Sequence, residues 1–130
     1  MTRANAPCPC GHPRPTLDGC GRWHAGPQHL QAPDAEALMR SRYSAYVLGL
    51  NDYLLATWHA STRPVEMPPL QPGLRWLGLE VRRHQAVGDG QAVVEFVARS
   101  KVAGRATRLV EVSRFVREAG RWFYVDGDVG

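Results

Sequence analysis

The chain has 130 residues, 44% hydrophobic and 22% charged, enough for one ordinary domain with a short appendage and a normal buried core. No run of about 18 apolar residues occurs, which excludes a spanning helix, and MTRANAPCPC lacks the apolar stretch of a secretory signal, so a cytoplasmic protein is expected. The net charge of +4 comes from sixteen basic residues, all arginine except Lys101, interleaved with twelve acids; without a block of like charge, nucleic-acid binding is not expected.

Residues 1–30 show neither helical nor strand periodicity and are dense in Pro, Gly and Cys, so they read as a loop-built unit preceding the body, residues 31–130. All three cysteines fall in CPCGHPRPTLDGCGRWH, Cys8 to His24. Where thiols stay reduced, this spacing points to a metal rather than a disulfide, and a tetrahedral set of soft thiolates favours zinc. Gly11, Pro13, Pro15 and Gly19 let the chain turn back so that Cys8, Cys10 and Cys20 converge. The fourth ligand stays open. His24 follows Cys20 at a C-x3-H spacing compatible with a shared ion, and His12 follows Cys10 more tightly. Water is a third choice, and a clip that no longer holds metal is the alternative to all three. A unit this short buries too little surface to fold alone, so a bound metal would contribute most of its stability.

Asp34 suits an N-cap, its carboxylate accepting from an otherwise unpaired amide of the first turn. After it, AEALMRSRYSAYVLGL places Met39, Tyr43, Tyr46 and Leu50 on one helical face, flanked by Leu38 and Val47, with Gly49 as a stop. A second helix follows at once, capped by Asn51 or Asp52 and burying Leu54, Leu55 and Trp58. STRPVEMPPLQPG, with Pro64, Pro68, Pro69 and Pro72, is expected as an irregular connector rather than a lid.

The remainder reads as strands. LRWLGLEV opens the first, over residues 74–87, and Gly88-Asp89-Gly90 turns it. Residues 91–102 alternate with Ala92, Val94, Phe96 and Ala98 on one side, and residues 106–118 alternate with Leu109 and Phe115 opposite Val110, Val112 and Val116. A turn at Glu118-Ala119-Gly120 leads into RWFYVDG. Tight turns between long strands give an antiparallel meander, and helices followed by such a sheet give an α+β fold with the helices on one face. Long strands curl, so the sheet is expected to be curved and to enclose either a pocket or a filled core.

The cysteine spacing resembles the SEC-C motif, C-x-C, eight residues, then C and an adjacent C or H. Cys8, Cys10 and Cys20 match it, while Gly19 stands where the motif has a further thiol. With EALMRSRYSAYVLGLNDYLLATWHASTRP, EVSRF and GRWFYVDG, the chain resembles the YchJ-like family over nearly its whole length. That resemblance implies an N-terminal SEC-C segment joined to a nuclear transport factor 2-like domain, a cone-like curved sheet wrapped by helices. Many members end in a second SEC-C motif, which this sequence, ending Asp126-Gly127-Asp128-Val129-Gly130, does not contain. The family brings no established activity, and its fold hosts isomerases, dehydratases, adaptors and non-catalytic binders. SEC-C motifs are associated with protein contacts in preprotein translocation, which implies a protein partner for the clip.

Glu111, in the family-like EVSRF segment, and Glu95, between Val93 and Val97, are the catalytic candidates; Asp126 and His59 are considered beside them. In a catalytic reading Arg40 and Arg42 could pair with such a glutamate and Tyr43, Tyr46, Trp58 and Trp76 could supply walls, whereas aromatics in such positions are more often core and an Arg–Glu pair is commonly structural. No nucleophile-plus-base motif or phosphate loop occurs. The expected function is therefore a binding or adaptor module, monomer or homodimer, with a structural zinc clip and a cone for a small ligand or partner. The alternative is a small-molecule enzyme of isomerase or dehydratase type using Glu111 or Glu95 as proton acceptor.

Overall fold

The computed structural model describes Pro9 and residues 20–24, 29–68 and 72–129. Cys20 opens a single helical turn, α1 (Gly21–His24), closed by a bond from the Trp23 amide to the Cys20 carbonyl at 3.0 Å. Helix α2 (Ala35–Leu48) begins where the sequence places it: Asp34 Oδ1 accepts from the Ala37 amide at 2.7 Å. It stops at Gly49, whose φ of 74° sits in the left-handed region that glycine enters without steric cost. The chain turns so sharply there that α3 (Asn51–Ala56) begins with no side-chain cap; Leu50 holds the cap position, and Asn51 is already helical. Neither Asn51 nor Asp52 caps α3 as expected, because the Gly49 turn leaves no extended residue between the two helices. The buried side of α3 is Tyr53 and Leu54, with Thr57 just beyond, rather than Leu55 and Trp58.

Four antiparallel strands follow in sequence order: β1 (Arg75–Gly88), β2 (Gln91–Val102), β3 (Arg105–Glu118) and β4 (Arg121–Val129). Ala92, Val94, Phe96 and Ala98 of β2 and Phe115 of β3 face the helices, as the alternation requires. Three register shifts in β1, at Leu77, Arg82 and Val87, bend this edge strand. The opposite edge is covered. Residues 57–59 run alongside β4, with Trp58 and Tyr124 bridged in parallel, the His59 amide donating to the Tyr124 carbonyl at 2.7 Å and the Tyr124 amide to the Thr57 carbonyl at 2.8 Å. Hence a curved open sheet holds its helices in its concavity.

The core is one cluster drawn from every layer. It contains Leu38, Met39 and Tyr43 from α2, Tyr53 and Leu54 from α3, the inner β2 residues and Phe115. Trp23 of α1 and Ala32 belong to the same cluster, so the end of the N-terminal unit is buried in the body rather than resting on it. Among the described residues no helix is long and apolar enough to cross a membrane.

Candidate functional site

A cavity of about 180 Å³ remains between α2 and the concave face of the sheet. Tyr43 and Tyr46, one turn apart on α2, stand against Trp76 of β1 with ring centroids 5.6 and 6.3 Å away. Phe96 adds a wall from β2. Two charged side chains enter this aromatic setting, Arg42 from α2 and Glu111 from β3.

Arg42 lies on the apolar stripe of α2, three residues after Met39 and four before Tyr46, so the helix carries it inward. Only 5% of it is exposed. Its Nη1 donates to the Leu54 carbonyl at 2.8 Å and to Thr57 Oγ1 at 2.6 Å. The guanidinium carbon lies 4.6 Å from the Tyr124 ring centroid and 5.2 Å from that of Trp58. A planar cation between two ring faces suits arginine and not lysine. Burial pulls its pKa down from the ordinary value, with nearby tyrosines and Glu111 opposing. Among the described residues Arg42 forms no ion pair with a glutamate; a carbonyl, a hydroxyl and two rings hold the group instead. Arg40 pairs with Glu36 on its own helix at 2.9 Å.

Glu111 shares the inner face of β3 with Ser113 and Phe115, opposite Phe96 of β2. Its Oε2 accepts from Ser113 Oγ. The carboxyl group leans over Gly127 of β4, where an added Cβ would stand 2.5 Å from Oε2 and 2.8 Å from Cδ. Gly127 therefore supplies the room that Glu111 occupies. Tyr124 completes this side, its phenol pushed up to about 12 by burial and then by Glu111.

Glu95 is elsewhere. Val94 and Phe96 take the concave face, so period-two alternation sends Glu95 outward, 3.6 Å from Arg83, and it does not line the cavity. Asp126 is also outside this cavity, held by Arg114 Nε at 2.5 Å, with Asp128 on Nη1 of the same guanidinium at 2.8 Å. His59 joins a small polar knot at the covered edge: Nε2 meets Glu118 Oε2 at 2.6 Å, and Nδ1 meets Ser61 Oγ at 2.7 Å. Tyr124, Ser113 and Gly127 were not singled out from sequence. The period-two step from Glu111 through Ser113 to Phe115 is the signal that would have found Ser113; nothing local marks Tyr124 or Gly127.

Of the metal candidates, Cys8 and Cys10 lie outside the described residues, as does His12. Cys20 is buried immediately before α1, and His24 is the last residue of that helix. His24 Nε2 donates to the Ser41 carbonyl at 2.8 Å, and its ring stands edge-on to Tyr53 at 4.7 Å. A ligating histidine is oriented in this way when its other nitrogen donates to a backbone carbonyl. Cys20 and His24 are the two candidate ligands that are described, and among the described residues no group of three or more His, Cys, Asp or Glu side chains is placed to hold a metal ion.

A four-stranded antiparallel cone with helices in its concavity defines a nuclear transport factor 2-like domain, and residues 34–127 match the family model described as YchJ, middle NTF2-like domain. The chain belongs to the YchJ-like family, UPF0225. A UPF0225 protein of Bordetella parapertussis is 62% identical over 124 residues, covering 95% of this chain and 93% of that one. One from Methylibium petroleiphilum is 64% identical over 126 residues, covering 97% and 90%. The solution structure of a SEC-C motif containing protein from Rhodopseudomonas palustris superposes with a TM-score of 0.79 at 30% identity, covering 96% of this chain and 99% of that one. The crystal structure of a SEC-C motif containing protein from Psychrobacter arcticus gives 0.81 at 28% identity, covering 100% and 86%.

Proposed function

We propose that this protein is a small-ligand-binding module whose cone takes the ligand and whose N-terminal unit is a structural zinc clip available to a protein partner. The observation that carries the ligand reading is the aromatic cavity of about 180 Å³ with Arg42 and Glu111 on its walls. A side chain packed only for stability rarely brings a carboxyl group into such a space. For the clip, Cys20 and His24 would hold zinc together with Cys8 and Cys10. Zinc supplies a closed tetrahedral cross-link there and no redox chemistry. Both solved relatives are SEC-C motif containing proteins, which supports this reading.

Ligand-observed NMR of the purified chain against soluble single-ring compounds tests the cone. Saturation transfer is expected to the wild type and to be lost in Ala98→Phe, which fills the cavity from the β2 wall. Equal transfer to the filled variant would place the binding elsewhere and overturn the reading.

The enzyme reading draws support from one feature, the exposure of Glu111 to the cavity beside Tyr124. As proton acceptor Glu111 would need a pKa near neutrality. A carboxyl carbon titration by NMR that places Glu111 in the ordinary glutamate range would remove it.

A further inference from the structure

Arg42 and Glu111 line the same cavity without forming an ion pair. They are close enough for their charges to be felt, since Glu111 acts to hold the proton on Arg42. Arg42 spends only Nη1 on protein acceptors, and Glu111 accepts only from Ser113 through Oε2. The other nitrogens of Arg42 and Oε1 of Glu111 have no hydrogen-bond partner among the described residues. Nor are they sealed in: among those residues Arg121 Nε is the one side-chain polar atom both fully buried and without a partner. Spare donor capacity on Arg42 and spare acceptor capacity on Glu111 therefore belong to two residues that line one cavity.

Size and charge narrow what fits that space. An apolar cavity of about 150 Å³ holds one benzene ring, so about 180 Å³ takes one six-membered ring with a small substituent. Tyr43, Tyr46, Trp76 and Phe96 offer ring faces and edges to it. A guanidinium and a carboxylate together make the cavity neutral overall, so a ligand of either sign would meet one like charge. A neutral ligand with a donor beside an acceptor satisfies both walls at once.

We propose that the cavity binds a neutral single-ring compound bearing a carboxamide or ring-lactam edge, its N–H donated to Glu111 and its carbonyl accepting from Arg42. This deepens the ligand-cavity reading and rests on it.

The test compares four probes on the full chain by NMR titration: toluene, benzamide, benzoate and benzylamine. Benzamide is expected to bind about tenfold or more tighter than toluene, as a hydrogen bond to a charged group allows, and tighter than either ion. In Glu111→Gln the advantage of benzamide over toluene should shrink to about threefold or less. If toluene matches benzamide, or benzoate or benzylamine exceeds it, the amide assignment is overturned while the cavity reading stands. Benzamide preference surviving intact in Glu111→Gln overturns the role of Glu111. Failure of all four probes to bind overturns the cavity reading itself, and this inference with it.

Discussion

Arg42 sits in the interior of a small domain without an ion pair to a carboxylate among the described residues. Its partners are the Leu54 carbonyl, Thr57 Oγ1 and the faces of Trp58 and Tyr124. Arg42→Ala removes these contacts and leaves a void, and is expected to cost about 2–4 kcal/mol in urea unfolding. Arg42→Lys should recover little, because an ammonium cannot lie flat between two rings. This position was legible in the sequence, since Arg42 shares the stripe of Met39 and Tyr46, but an arginine on such a stripe ordinarily suggests a partner acid. The acid was not needed because α3 ends with a carbonyl and a hydroxyl pointing at it. The tyrosines give a pH signature. Burial raises both Tyr53 and Tyr124 to about 12, against about 10 for an unfolded tyrosine. The neutral phenols therefore contribute stability that is whole below pH ~10 and is lost as pH climbs through about 12. For the nearly fully buried Tyr53 this is on the order of 2 kcal/mol. Denaturation midpoints should hold from pH 8 to 10 and fall beyond it, and phenolate absorbance should show a late component that Tyr53→Phe and Tyr124→Phe each diminish. Ordinary titration of all four tyrosines would contradict this.

The elements follow from local chemistry where that chemistry is self-contained. Asp34 and Gly49 bound α2 because a cap and a left-handed stop depend on a few neighbouring residues. Ala119 and Gly120, with φ of 52° and 77°, make the tight turn read from Glu118-Ala119-Gly120. The face of Glu95 was readable from the same alternation that placed Phe96, but flanking valines on its own face suggested burial. Valines serve strands on both faces, so they do not identify the inner one. The fit of β4 onto β3 could not be read at all, because Gly127 and Glu111 are brought together only by strand pairing. Gly127→Ala leaves an accessible backbone conformation but drives Cβ into the Glu111 carboxyl group. A cost of about 1–2 kcal/mol in thermal or urea unfolding is expected. Glu111→Ala should reduce the cost of Gly127→Ala markedly in a double-mutant cycle. Additive losses would mean the two side chains do not contend for one space.

At the scale of the molecule, the α+β plan and the helix-then-meander order were legible, since sequential strands joined by short turns leave few other arrangements. The depth of the N-terminal unit was not. Composition separates residues 1–30 from the rest, yet Trp23 belongs to the same core as Leu38 and Phe115. A loop-built segment gives no periodic sign of which residue it buries. Under the proposed zinc clip, chelation should lower the melting temperature of the whole protein and shift Trp23 fluorescence to the red. Cys20→Ser and His24→Ala should abolish or reduce one bound zinc per chain by elemental analysis. Melting indifferent to chelator, with no zinc in protein prepared without chelator, would leave the clip without a metal. The bridge between Trp58 and Tyr124 has a different outcome. Among the described residues every other strand pairing joins neighbours across a short turn, whereas this one closes a loop of about 65 residues, whose entropy is lost only when the edge seals. Its formation therefore belongs late on the folding route, after the hairpins have zipped. Substituting Trp58 should accelerate unfolding while hardly slowing refolding in stopped-flow chevrons, so this edge sets how long the native molecule lasts rather than how quickly it assembles.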